Sequence, residues 1–166
     1  MGSNLAAADG SSPLQTCQSA VAALARLPGW RLAMRSRWYR TLPEPPLPGA
    51  PPFVNGVALL EHEGGGGDAD PARLLAALHA LEDAAGRARP FPNAPRTLDL
   101  DLIAMDGLQR EAPPPILPHP RAHLRRFVLQ PLADIWPGWR HPVLGRTVED
   151  LLADLPDSNL PKPIPG

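Results

Sequence analysis

With 166 residues, 43% hydrophobic and 20% charged, the chain fits one globular domain with a proper core, and it contains no internal repeat. A formal net charge of −1 gives no bulk attraction to nucleic acid or to an anionic membrane, and no apolar run approaches the length of a membrane span. The start lacks the basic-then-apolar pattern of a secretory signal, and the lone Cys17 excludes an internal disulfide framework, so the chain reads as cytoplasmic.

Ser12-Pro13-Leu14-Gln15 predicts a helix start, with a serine cap, proline at the first helical position and glutamine completing a capping box. Leu14, Cys17, Val21 and Leu24 recur at helical spacing until Pro28-Gly29 ends the segment. From Trp30 to Arg40 the pattern alternates. Trp30, Leu32 and Met34 share one face and Arg31, Arg35 and Arg37 largely the other, which predicts a strand with one wet face. The Pro-rich stretch from Thr41 to Pro52 can form neither helix nor central strand. Phe53 to His62 predicts the next strand, with Phe53, Asn55, Val57 and Leu59 on one face. Gly64 to Gly67 reads as a flexible linker. Asp70-Pro71 opens a second helix carrying Leu74, Leu75, Leu78 and Leu81, with Gly86 as its end, and residues 87–95 form a loop.

Ala94-Pro95-Arg96-Thr97-Leu98-Asp99-Leu100-Asp101-Leu102-Ile103 is the most informative stretch. A strand has a side-chain period of two, so Leu98, Leu100 and Leu102 face the core and Asp99 and Asp101 the opposite side. Two neighbouring carboxylates repel unless a cation sits between them, and Mg²⁺ takes one or two carboxylates together with substrate phosphates. Arg96 can clamp a phosphate bidentately. The plain alternative is a half-exposed strand with solvated aspartates, although Asp is depleted in strands.

Beyond it, Asp106-Gly107 signals a turn, Pro113-Pro114-Pro115 bars regular structure, and His123 to Leu132 predicts a short helix. Thr147-Val148-Glu149-Asp150 caps a last helix, and the tail from Pro156 reads as loose. The order α-β-β-α-β predicts an α+β, ferredoxin-like sheet of the βαββαβ type whose first strand is missing, with extra short helices at the C-terminal end. The domain spans 1–155 and the tail 156–166. An unfilled first-strand position would expose two strand edges and cost several buried aliphatic side chains, so translation is expected to begin upstream of Met1.

Pro95-Arg96-Thr97-Leu98-Asp99-Leu100-Asp101 resembles the signature of the 6-hydroxymethyl-7,8-dihydropterin pyrophosphokinase family. Gly2-Ser3-Asn4-Leu5, Tyr39-Arg40-Thr41, Phe53-Val54-Asn55, Gly86-Arg87-Ala88-Arg89 and Leu117-Pro118-His119-Pro120-Arg121, running into Arg125-Arg126-Phe127, agree in order and spacing. The resemblance implies transfer of pyrophosphate from ATP to the hydroxymethyl oxygen of the pterin, using two Mg²⁺ ions. It implies Asp99 and Asp101 as metal ligands and, with Arg87 and Arg96, as catalytic residues. It implies His79, Arg87, Arg89, Arg96, His119 and Arg125 as ATP contacts. Phe53 and Phe127 would stack on the pterin, Asn55 would read its edge, and the backbone of Thr41 and Leu42 would supply carbonyls. An exposed helical histidine is an equally good account of His79.

No phosphate-binding Gly-x-x-x-x-Gly-Lys-Ser/Thr loop is present, so arginines and metal must hold the phosphates. His62, His123 and His141 have no partner pattern and read as structural or surface residues, and Trp30, Trp38, Trp136 and Trp139 read as core or loop packing. The loop between Gly86 and Arg96 looks slightly short for the family, and Asn93 stands where an aromatic often closes over the pterin, a place Phe91 could fill. The partners expected are small molecules acting on a monomer, with no nucleic acid and no membrane. Two rival readings stand beside this one. A ferredoxin-like RNA-binding module would carry exposed aromatic and basic residues on its central strands, where this chain has Asp99 and Asp101. A truncated, inactive relative would keep the site residues without the fold.

Overall fold

Ser12 caps the first helix as its local sequence predicts. Its hydroxyl accepts from the Gln15 amide, the Gln15 side chain accepts from the Ser12 amide, and Pro13 opens helix α1 (Pro13–Leu24). The structure, a computed structural model, describes residues 1–65, 69–86 and 94–165. The described residues form a mixed α+β fold with antiparallel sheets and four α-helices.

The sequence predicts no strand ahead of α1, yet Gly2–Ser3 forms a two-residue strand, β1. Two longer predicted strands are each broken. Trp30–Arg40 divides into β2 (Trp30–Arg35) and β3 (Tyr39–Thr41), and Phe53–His62 into β4 (Phe53–Asn55) and β5 (Ala58–His62). The breaks face each other. The Ser36 amide donates to the Val57 carbonyl at 2.9 Å, and the Val57 amide donates to Ser36 Oγ at 2.9 Å. Trp38 lies flush against Gly56, where a Cβ would sit 2.7 Å from the indole ring. The hairpin therefore feeds two sheets, β2 pairing with β5 and β3 with β4. A bulge between Leu32 and Met34 also shifts the expected facing, leaving Met34 47% exposed.

The first sheet has the order β1-β4-β3-β6, β6 being Lys162–Pro163. On its free side, Gly2 exchanges both backbone bonds with Asp99, at 2.9 and 2.8 Å. Asp99 is the only residue of the predicted strand 98–103 in a bridge, and the Leu100 amide, which points away from β1, donates to Glu82 Oε1 at 2.7 Å. The alternation survives without a regular strand. Leu98 and Leu100 are buried and Asp101 is exposed.

Asp70 caps helix α2 (Pro71–Ala84) by accepting from the Ala72 amide. Gly86, at φ +81°, follows in the left-handed conformation that ends many helices. The buried stripe of α2 is Pro71, Leu74, Leu78 and Glu82. Its leucines meet Ala20 and Leu24 of α1 and Leu98 and Leu100 in one core cluster. Of the predicted linker and loop, residues 66–68 and 87–93 lie outside the described residues.

The helix predicted over His123–Leu132 is displaced. Ala122–Leu124 forms a 3₁₀ turn, Arg125 is extended, and helix α3 runs Arg126–Ile135. Tyr39 Oη donates to Asp134 at 2.8 Å, as does Arg37 Nη2, tying α3 to β3. Thr147 and Asp150 form the predicted capping box of helix α4 (Val148–Asp154). Leu129 and Leu132 of α3 pack with Trp139, Val148 and Leu151 in a second cluster. The tail is not loose as expected. Asp157–Asn159 forms a 3₁₀ turn and β6 covers the outer edge of β3. No described helix is long and apolar enough to cross a membrane.

Candidate active site

A cavity of about 560 Å³ opens where the Asp99 segment, the β3–β4 hairpin and the start of α3 converge. The extended segment contributes Arg96, Asp99 and Asp101 to its wall. Thr41 and Leu42 enter from the end of β3, Phe53 and Asn55 from β4, and His119, Arg125 and Phe127 from the α3 side. Ten of the residues singled out in the sequence thus share one space, although they lie up to 86 positions apart (Thr41 to Phe127). His79 lines an adjoining cavity of about 250 Å³, which shares Asp101 and His119 with the first. Arg87, Arg89, Phe91 and Asn93 lie outside the described residues.

Arg96 is held at several points. Its Nη1 donates to Asp99 Oδ2 at 2.7 Å and its Nε to the Ala94 carbonyl at 3.2 Å. Its guanidinium lies over the Phe53 ring at 6.0 Å, and that of Arg125 over the Phe127 ring at 5.4 Å. Each aromatic wall therefore carries a cation on its face. Asn55, 6% exposed, donates from Nδ2 to Thr41 Oγ1 at 2.7 Å. Its Oδ1 lies against Gly2, where a Cβ would come within 2.6 Å. The amide plane is fixed from both ends.

Burial, with the nearby guanidinium groups of Arg125 and Arg121, holds the His119 imidazole below its usual value against the pull of Asp101. Its Nδ1 accepts from the Arg121 amide at 3.1 Å, so the neutral ring carries its proton on Nε2 as an uncharged donor. Burial and Arg121 push the Arg125 guanidinium down, while Asp101, Asp99 and Glu44 oppose them. Acidic and basic groups thus face one another across the same space. Among the described residues no group of three or more His, Cys, Asp or Glu side chains could hold a metal, so any cation here depends on the Asp pair and on oxygens brought by substrate.

Several contributors carry no assigned role in the sequence reading. Asn4, 2% exposed, accepts from the Arg96 amide at 2.8 Å and donates to the Pro51 carbonyl at 3.0 Å, joining the chain start to both sides of the site. Its signal was the Gly-Ser-Asn-Leu motif itself. Glu82, 1% exposed, fixes Leu100 between the two aspartates. A carboxylate in register with Leu74 and Leu78 on a buried helical stripe is the signal that could have marked it. Glu44 lines the cavity with no sequence signal beyond its charge, whereas Arg121, also in the wall, belongs to the Leu-Pro-His-Pro-Arg motif, which gave it no role.

Paired carboxylates, arginines and aromatic walls around one cavity are the equipment of a phosphate-handling enzyme. The 7,8-dihydro-6-hydroxymethylpterin-pyrophosphokinase family matches residues 1–137, and the chain belongs to that family. It is 39% identical over 166 residues to a Pseudomonas aeruginosa protein named 2-amino-4-hydroxy-6-hydroxymethyldihydropteridine pyrophosphokinase, covering 100% of this chain and 94% of that one. A Synechocystis protein of the same name is 38% identical over 139 residues, 84% of this chain and 68% of its own. One from Methylorubrum extorquens is 36% identical over 143 residues, 85% and 84% of the two chains.

Proposed function

We propose that this chain transfers the β,γ-pyrophosphoryl group of ATP to the hydroxymethyl oxygen of 6-hydroxymethyl-7,8-dihydropterin, releasing AMP and the pterin pyrophosphate for folate synthesis. The observation that carries this reading is the meeting of Asp99, Asp101, Arg96 and Arg125 with Phe53, Asn55 and Phe127 in one cavity. The first group suits phosphates and the second a flat, hydrogen-bonding heterocycle.

The pterin enters between the aromatic walls, and Asn55 offers its carbonyl and remaining N–H to the ring edge. Because Asn55 is already bonded to Thr41, little rotamer freedom is lost on binding. The hydroxymethyl oxygen then attacks the β-phosphorus in line as AMP leaves. Arg96 keeps part of its planar fork free beyond Asp99 and Ala94 and turns it to the transferring phosphates. Arg125 adds charge from the opposite wall, and His119 donates from Nε2 without adding a second cation. Arg87 and Arg89, and His79 from the adjoining cavity, complete the ATP contacts in this proposal.

The donor set fits Mg²⁺, which binds through few carboxylates and takes its other ligands from phosphates and water. Asp99 and Asp101 would hold two such ions, supplying charge stabilisation to attacking and leaving oxygens. Arg96, now paired with Asp99, would be released toward the phosphates.

The lateral order Asp99 segment, β1, β4, β3 is that of a split βαβ sheet, and a ferredoxin-like architecture is part of the proposal. A cytoplasmic location belongs to it too. The Cys17 thiol, pushed up to about 11 by burial, suits a reducing compartment. Calorimetric titration with a non-hydrolysable ATP analogue and Mg²⁺, followed by pterin, tests the reading. Ordered or independent binding of both, with AMP formed from ATP only when pterin is present, is expected. Binding of RNA without either ligand would overturn it.

A further inference from the structure

The residues beyond 137, outside the stretch matched to the family, return to the cavity from outside and grip both of its walls. On one side β6 pairs with β3, with Tyr39 opposite Pro163 and Arg40 opposite Lys162, and the Ile164 amide donates to the Trp38 carbonyl at 2.8 Å. Immediately after β3, the Leu42 amide donates to Asn159 Oδ1 at 3.2 Å, and Asn159 Nδ2 donates to the Leu42 carbonyl at 3.1 Å. On the other side, Asp157 pairs with Arg126 at 3.2 Å, and Arg126 Nη2 also donates to the Leu152 and Leu155 carbonyls. Arg126 stands between Arg125 and Phe127, both in the cavity wall.

Leu42 needs such a partner. Its residue is 63% exposed, so burial does not fix it, and Pro43, Pro45 and Pro46 prevent the β3 ladder from continuing. A primary amide is both donor and acceptor, so Asn159 closes the Leu42 amide and takes one lone pair of its carbonyl as a neighbouring strand would, leaving the other lone pair for a ligand. We propose that Asn159 is a positioning residue: it fixes Leu42, and through it the pterin-side wall, so that the C-terminal tail sets how tightly the pterin is held. The identity of that ligand rests on the function proposed above; the clamp itself does not.

Asn159→Ala and Asn159→Asp test it, the second keeping the acceptor for the Leu42 amide and losing the donor. Amide hydrogen exchange at Leu42 is read without any ligand, and steady-state kinetics with both substrates. In Asn159→Ala, Leu42 should lose protection and the KM for pterin should rise about three- to tenfold, the loss of one or two exposed hydrogen bonds. The KM for ATP and kcat should stay at parent values, and melting should be unchanged. Asn159→Asp should fall between the parent and Asn159→Ala, or below both if the charge repels the Leu42 carbonyl. Lys162→Ala, exposed on the same tail, should match the parent in every measurement. Parent-like protection at Leu42 in Asn159→Ala overturns the clamp. A parallel rise in both KM values with a lower melting temperature overturns the positioning role in favour of a merely structural one. If the parent chain does not use pterin, the proposed reaction falls, while loss of Leu42 protection in Asn159→Ala would still uphold the clamp.

Discussion

Two cavities of almost equal size flank one extended segment, and they differ in the chemistry of most of their walls. The first, about 560 Å³, gathers Arg96, Asp99, His119 and Arg125; the second, about 570 Å³, is walled by Leu24, Trp30, Leu74, Leu78, Leu100 and Leu102. Asp101 and Ile103 form part of the wall between them. The period-two alternation around Asp99 therefore sorts side chains into two environments: carboxylates toward a wet, charged space, leucines toward the apolar one. Size does not mark a site. Converging charge with fixed geometry does.

The sharpest way to break this contrast is at the carboxylates. Asp99→Ala and Asp101→Ala should each lower turnover by about 10²–10³-fold, in line with loss of a principal transition-state charge contact, while in Asp101→Ala, at an exposed position, melting stays near the parent value. Near-normal turnover in Asp101→Ala would end the metal-ligand role. On the other side of the segment, Leu74→Ala should do the reverse. It should cost about 2–5 kcal/mol of stability, seen in denaturant unfolding, and leave turnover of the folded protein at low temperature almost intact. Should Leu74→Ala abolish turnover in a folded sample, the two cavities would be functionally one.

Finer tests act within the charged cavity. Arg96→Lys should recover only part of the turnover lost in Arg96→Ala, since a point charge cannot reproduce a fork bonded to Asp99 and Ala94. Full recovery would reduce Arg96 to a source of charge. Asn55→Ala should raise the dissociation constant for pterin about tenfold and spare that for the ATP analogue, a split that calorimetry can read. The reverse split would mean that the two ligand sites had been exchanged. The smallest effect is in stability against pH. Burial holds His119 and His141 below the usual 6.5, His141 also through the neighbouring His123. The unfolded chain then binds protons that the folded one refuses, so stability is full above about pH 6.5 and declines as pH falls below it. Melting curves recorded downward from neutral pH should show this decline, and His141→Gln should lessen it. A flat profile would mean that neither imidazole is protected by the fold.

Local chemistry was legible in the sequence, and long-range chemistry was not. The caps at Ser12, Asp70 and Thr147 depend on residues within a turn and were all readable. The carboxylate pair was readable because alternation is also local. The hairpin break was hidden, since it depends on Trp38 lying against Gly56, 18 positions away. The bonding of 98–103 was hidden for a similar reason: the Leu100 amide meets the Glu82 side chain, on another element, and not a neighbouring strand. The tail showed only a helix end followed by prolines, and nothing local announces that Asn159 finds Leu42. The site residues were placed together by motif resemblance, whereas the supports beneath them, Asn4 and Glu82, emerged only from contacts.

The approach of Asn55 Oδ1 to Gly2 makes these two positions a single unit of inheritance. A side chain at position 2 would occupy the space of the amide oxygen, so Gly2→Ala alone should displace Asn55 from Thr41 and weaken pterin binding. A library randomised at both positions and selected for growth without folate should return Gly2 with Asn55 together. Substitutions at position 2 should survive only in clones that have also remade position 55. Drift at this corner of the cavity is thereby coupled, and a recombinant that joins one relative's start to another's β4 should inherit function only when both halves come from a compatible pair.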